Sequence, residues 1–308
     1  MKPQDLPYYE QLTPERKQQI KKALYRSEKL NDYKTDIEYT KRYTALVRKS
    51  NTAVQKARYS LTLRQQKLLC YLITLLKEDD TPDTEKTFDI LDYYTFMGVT
   101  KQDYSKIKKD IQTIANCSWW KVDSKGKVEK GVLFRFIDGK PRYIIDNNRG
   151  TAKIIFQWDS DMLPHLQDLK KEYTQYKIWY IMTLKSEYSL RLYELLKSVE
   201  NKTFWQFSIE QLKSLLMCDS YTQFSDFRKR VIDRAVTEIN SKTDINVSYE
   251  LFKLGNNAKM FSDIEFTITP KETADRLNVD HEIKTELDGQ INLFDTDSGE
   301  SQSTKRKE

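Results

Sequence analysis

A chain of 308 residues with 38% hydrophobic side chains has apolar surface for one or two cores, and its length favours two. Its 52 Lys+Arg outnumber 46 Asp+Glu by a net +6, and no run nears 18 apolar residues, so the cytoplasm is expected and a membrane span is not. The three cysteines, Cys70, Cys117 and Cys218, lie far apart without a C-x-x-C pair, which argues against a disulfide framework or a zinc site.

Residues 1–44 interleave Tyr with Lys/Arg (Arg16, Lys17, Lys21, Lys22, Tyr25, Arg26) and read as a helical or partly disordered arm. A first domain is expected over 45–165. Thr62-Leu63-Arg64-Gln65 is a T-x-x-Q capping box, opening a helix with Leu63, Leu68, Leu69, Leu72, Ile73, Leu75 and Leu76 on a wide apolar face. A loop with Pro82, a short strand at 87–90, a short helix ending at Gly98 and a helix over 102–116 follow. Strands are expected at 119–123 and 132–137, joined by turns at Gly126 and Gly131, with others near 141–145 and 152–158. Strand, helix, turn, helix and hairpin is the order of a winged helix-turn-helix.

That order returns over 166–270. A helix over 188–199 and a strand over 203–207 precede Ser208-Ile209-Glu210-Gln211, a second capping box. A helix over 224–240 and a hairpin of 247–254 and 264–268 complete it. Lys86-Thr87-Phe88 answers Lys202-Thr203-Phe204, so the expected fold is α+β: two tandem winged-helix domains related as a pseudo-repeat. Residues 271–308 hold six Lys/Arg against ten Asp/Glu and read as an acidic flexible tail, leaving 46 basic against 36 acidic side chains on the rest. A basic body points to a polyanionic partner or to a well-solvated surface; charge alone does not separate the two.

On a regular helix, Phe224, Phe227, Val231, Ile232, Ala235, Val236 and Ile239 share one half of the circumference and must face a core. Lys229, Arg230, Asp233, Arg234 and Thr237 take the other half. Cations among short polar groups on the second helix of a helix-turn-helix suit the major groove of duplex DNA, where they meet phosphates or guanine edges. A solvated charged face is the competing reading. Arg228 falls inside the apolar arc, so it is expected to reach a phosphate near the helix start or to pair internally. Lys106, Lys108 and Lys109 form a weaker version in the first domain, because lysine lacks bidentate base geometry. Lys253, Asn256, Asn257 and Lys259 sit at the second hairpin's tip, as a DNA-touching wing or as ordinary turn chemistry.

Catalysis finds no support. His165 and His281 are the only histidines and lie far apart, and no G-x-x-x-x-G-K-[ST] phosphate loop occurs. Asp79, Asp80 and Asp83 read as a cation site or, preferably, a solvated loop. No catalytic residue, metal or cofactor is therefore expected. The tryptophans read as core rather than as base-stacking platforms.

The second half resembles the initiator (Rep) proteins of iteron-containing, theta-replicating plasmids. The likeness rests on Tyr188-Ser189-Leu190-Arg191-Leu192-Tyr193-Glu194-Leu195-Leu196, then Phe207, Ile209, Leu212, Leu215 and Leu216. Phe224, Phe227, Arg230-Val231-Ile232, Ala235, Glu238-Ile239-Asn240 and Tyr249-Glu250 continue it, although the turn at 217–221 lacks the glycine expected there. In the first half Asn51, Ala57, Tyr59, Leu61-Thr62 and Gln66-Lys67-Leu68 agree. The resemblance implies binding of direct repeats at an origin, with the second domain as main reader through Arg228, Lys229, Arg230 and Arg234. It further implies dimerisation and auxiliary DNA contacts by the first domain, repression of the initiator's own promoter, opening of AT-rich DNA, and recruitment of host initiator and replicative helicase. Arg191 matches a motif position and reads equally as a phosphate contact or an internal ion pair. Gln290-Ile291-Asn292-Leu293-Phe294 looks like the peptide with which bacterial proteins dock on the polymerase sliding clamp, with Gln290, Leu293 and Phe294 as its contacts. A winged-helix transcriptional regulator or a plasmid partition protein is the alternative function.

Overall fold

The structure is a computed structural model that describes residues 45–97, 103–122, 128–136, 139, 142–146, 151–167, 169, 172–253 and 260–297, with Thr13, Pro14 and Lys17 of the arm. β1 (Leu46–Ser50) leads into α1 (Asn51–Gln55), capped by the Ser50 hydroxyl. The expected capping box opens α2 (Leu63–Ile73): Thr62 Oγ1 accepts from the Gln65 N–H, and Gln65 Oε1 accepts from the Thr62 N–H at 3.0 Å. This helix is buried on most of its circumference, as its many leucines demand. β2 (Lys86–Asp89), α3 (Ile90–Met97) and α4 (Tyr104–Asn116) follow, with Ile107, Ile111 and Ile114 of α4 in the core.

Beyond α4 the register differs from expectation. β3 (Ser118–Val122) and β4 (Val128–Val132) form a separate two-stranded ribbon. Gly131, expected in a turn, lies in β4 opposite Trp119; a Cβ there would sit 2.8 Å from the Trp119 Nε1. The absent side chain is a seat for the indole, whose N–H reaches the Val132 carbonyl. β5 (Phe134–Arg135), β6 (Arg142–Asp146) and β7 (Thr151–Trp158) follow, and β7 pairs with β2 on one edge and with β5 and β6 on the other. The hairpin directly after α4 thus stands apart from the sheet, in which β6 and β7 form a second antiparallel pair.

β8 (Tyr173–Lys177) returns to pair with β1, Leu46 opposite Lys177. A boundary at 165/166 would cut this pair, so the expected division falls too early. α5 (Ile178–Thr183) and α6 (Glu187–Lys197) come next. The second unit then runs β9 (Phe204–Ser208), α7 (Ile209–Leu216), a long helix α8 over 224–242, β10 (Ile245–Lys253) and β11 (Phe261–Pro270), with sheet order β10-β11-β9. Ser208 caps α7 as expected. Met217 ends α7 in the left-handed region, φ 54°, doing the work of the missing glycine.

One hydrophobic core runs through both units, and α6 sits at their seam. Glu194 of α6, fully buried, accepts from Lys49 of β1 and Tyr176 of β8, each at 2.5 Å. Arg191 is also buried: it lies 3.6 Å from Glu194 and donates to the Ala57 carbonyl at 2.6 Å. Of its two readings, the internal pair is the one found. Asp80 is likewise no cation ligand but a buried partner of Lys86, at 2.7 Å. Trp119, Trp158 and Trp179 are buried.

The tail departs most from expectation. Its residues 273–297 are not a flexible segment but a helix, α9 (Thr273–Asp297), whose Val279 and Ile283 are buried against the body. Two apolar residues four apart suffice to dock one helical stripe despite the acidic composition.

Candidate nucleic-acid interface

α8 is one helix with a π turn in its middle: Phe224–Phe227 and Arg234–Lys242 are α-helical, and Arg228–Asp233 is wider. Phe227, Val231, Ile232, Ala235 and Ile239 are buried in the second core. The π turn accommodates one extra residue in the coil, so the phase of the helix slips there. Arg228, placed within the apolar arc by regular spacing, consequently emerges on the outer face with its side chain 50% exposed. Its place in the apolar arc is thus corrected; of the two roles expected of it, a phosphate contact near the helix start or an internal pair, the pair is seen, with Asp233 at 3.9 Å.

The outer face presents Arg228, Lys229, Arg230, Arg234 and Thr237, all exposed. Most are held in place rather than loose. Arg228 donates to the Tyr249 hydroxyl at 2.9 Å, and that hydroxyl donates to Asp233 at 2.5 Å. The hydrogen bond to Tyr249 pushes the Arg228 guanidinium up, so it stays charged throughout. Arg230 lies 3.8 Å from Asp226, one turn earlier, and is the most exposed of the three arginines. Arg234 is turned toward the seam, pairing with Glu238 at 3.1 Å and the Lys185 carbonyl at 3.3 Å. Thr237 bonds back to the Asp233 carbonyl. Among the described residues Lys229 has no ion-pair partner. Chemically, this is an exposed group of cations, and the carboxylate partners of its arginines are exchangeable for phosphate or a guanine edge.

Lys253 ends β10 with its ammonium 5.4 Å over the Phe261 ring. Asn256, Asn257 and Lys259 lie outside the described residues. Gln290, Leu293 and Phe294 fall within the helical backbone of α9, but their side chains also lie outside the described residues.

On α4, Lys106 and Lys109 are exposed and Lys108 is half-buried, its ammonium 4.5 Å over the Tyr143 ring. Lys108 is thus brought beside β6, whose Arg142 and Tyr143 are exposed. Neither was legible as part of a site, because pairing of β6 beside α4 depends on tertiary contacts. Tyr249 was legible only as a motif residue; its role as a brace depends on the π turn. The rigid anchor of α4 is Asp110, buried and paired with Arg64 of α2 through both carboxylate oxygens. Among the described residues no group of three or more His, Cys, Asp or Glu could hold a metal ion, and no helix is long and apolar enough to cross a membrane.

Residues 46–197 match the family model described as Initiator Replication protein, WH1, and residues 208–268 match Initiator Rep protein, WH2. Among solved structures, that of Pi initiator protein in complex with iteron DNA is similar in fold, with a TM-score of 0.58 and 15% identity over 74% of this chain and 98% of that chain. The two matches follow one another in the order of the two units and together span more than half of the chain, which therefore belongs to the initiator Rep protein family.

Proposed function

We propose that the protein initiates plasmid replication by binding direct repeats at the origin, with α8 in the major groove and α4 contributing auxiliary phosphate contacts. The observation that carries this reading is the exposed side of α8, which presents three arginines and a lysine, the arginines oriented by Tyr249, Asp226 and Glu238. Bracing of this kind lowers the ordering cost of a long side chain on binding. The fold shared with Pi initiator protein, a protein crystallised with iteron DNA, supports the same reading.

The protein acts without catalysis of its own. It opens adjacent AT-rich DNA by binding, recruits the host initiator and replicative helicase, and represses its own promoter. Self-association uses the first unit, where the exposed Tyr143 and Ile144 lie on β6, a strand that pairs only with β7 among the described residues. The peptide at 290–294 docks on the sliding clamp, which requires the last turns of α9 to open. Loss of clamp binding by a chain carrying Leu293→Ala and Phe294→Ala is the expected outcome, and equal binding would end that part.

Fluorescence anisotropy with duplexes from the DNA around the gene tests the main reading. Tight binding to repeats of about two helical turns is expected, weakening steeply with salt. No preference for any duplex over random DNA would overturn it. A transcriptional regulator would show the same binding, so plasmid maintenance in a host lacking another initiator separates the two.

A further inference from the structure

The C-terminal helix α9 lies beyond residue 268, where the second family match ends, yet it is docked on both units. Asp280 pairs with Lys177 of β8 at 3.0 Å and accepts from the Tyr180 hydroxyl of α5 at 2.8 Å, both within the first matched unit. One and a half turns later, Glu286 pairs with Lys242, the last residue of α8, at 3.0 Å. Ile283, between these two contacts, is fully buried. Where α9 departs from β11, Lys271 donates to the Asn240 and Thr243 carbonyls at 2.5 and 2.7 Å, closing the C-terminal end of α8. α9 therefore ties the rear end of the reading helix to the β8–α5 corner of the first unit.

We propose that α9 is a specificity element: it fixes the orientation of α8 relative to the first unit, and so sets the spacing of DNA contacts that the two units can make together. The lever is long. At 1.5 Å per residue α8 spans about 28 Å, so a tilt of about 10° at its rear end moves the front by about 5 Å. That exceeds the roughly 3.4 Å by which successive phosphates of one strand advance along the duplex axis. Glu238, one turn before the end of α8, already holds the helix through the Lys185 N–H; α9 adds a separate anchor at Lys242 that runs to the β8–α5 corner. Asp280 and Glu286 are positioning residues in this scheme and touch no DNA. The inference rests on the proposed reading that both units contact one repeat.

The test compares affinity for the native repeat with affinity for the same repeat carrying one extra base pair between the two contacted segments. The full chain should lose about tenfold or more on the insertion, within the usual cost of a faulty site. With Asp280→Ala and Glu286→Ala together, that ratio should shrink to about threefold or less. Simple destabilisation would lower both affinities and leave their ratio alone. Lys242→Glu should shrink the ratio as well, and Lys242→Glu with Glu286→Lys should restore it, which also serves if the double alanine chain fails to fold. Equal ratios in the native chain and every variant overturn the role of α9 alone. Indifference of the native chain to the insertion overturns the two-unit reading and this inference with it.

Discussion

The two helices with cationic outer faces, α4 and α8, are built from the same parts in different ways. α4 is a regular helix, capped by Asp103 and bolted to α2 through the buried Asp110–Arg64 pair, and the exposed cations it carries are lysines. α8 has no side-chain cap and contains a π turn, and its outer face carries arginines with their own carboxylate and tyrosine braces. In α4 the polar machinery fixes the helix; in α8 it fixes the side chains. Lysine needs no such care, because an ammonium neutralises phosphate as a point charge, whereas the planar guanidinium must be aimed to read a base. The contrast fits the proposed reading, in which the first unit makes auxiliary phosphate contacts and the second reads sequence.

The largest expected effect breaks the comparison as a whole, because both units hang on α6. Burial alone would raise the Glu194 carboxyl, but the Lys49 ammonium and the Arg191 guanidinium outweigh it and hold it below the usual 4.5. Replacing Glu194 with Gln leaves two buried cations unneutralised, at an expected cost of about 3–5 kcal/mol in urea unfolding. A depressed carboxyl contributes stability that is present above its ordinary value and is lost as pH falls through its folded value. Glu194→Gln should therefore unfold with a flatter acid limb than the native chain. An unchanged midpoint at pH 7 would show that the cluster does not hold the seam.

Next comes a separation within α8. Arg230 projects outward with its side chain 69% exposed, while Arg234 leans on Glu238 and the Lys185 carbonyl. Arg230→Ala should cost about 1–3 kcal/mol on the native repeat and relax the preference at one base pair. Arg234→Ala should weaken native and altered repeats alike, because its guanidinium serves the seam as much as the groove. Affinities for a set of singly substituted repeats measure both. Loss of base preference from Arg234→Ala but not from Arg230→Ala would reverse the assignment.

Much of this architecture is written locally. The Thr62 and Ser208 caps, and the Ile107–Ile111–Ile114 and Val231–Ala235–Ile239 spacings, place four helices through short-range chemistry alone. What is not local is not legible. Nothing in Arg228–Asp233 announces a π turn, so a constant helical phase put Arg228 on the wrong side. Gly131 looks like a turn residue until Trp119 is placed across from it. α9 hid behind its acidic composition, although Val279 and Ile283 stand four apart in the sequence and mark the stripe that docks. The cations of α8 and their Asp226 and Glu238 partners, one turn away on the same helix, are readable from spacing; the Tyr249 brace is not, because it approaches from β10.

The smallest effect sharpens the comparison most. Lys109 is exposed on α4. Lys109→Gln removes one charge from a face that contributes no base contacts in this reading. The slope of log affinity against log salt should fall in magnitude by about 0.9, the amount for one phosphate contact, and by the same amount on native and altered repeats. Because Lys109 is exposed and shares no partner with the buried Asp110–Arg64 pair, stability should stay within about 0.5 kcal/mol. A titration of anisotropy at four salt concentrations resolves the change in slope, even where affinity at a single concentration moves little. An unchanged slope removes Lys109 from the interface. A slope that changes only on the native repeat would make α4 a second reader of sequence, and the division of labour between the two helices would go.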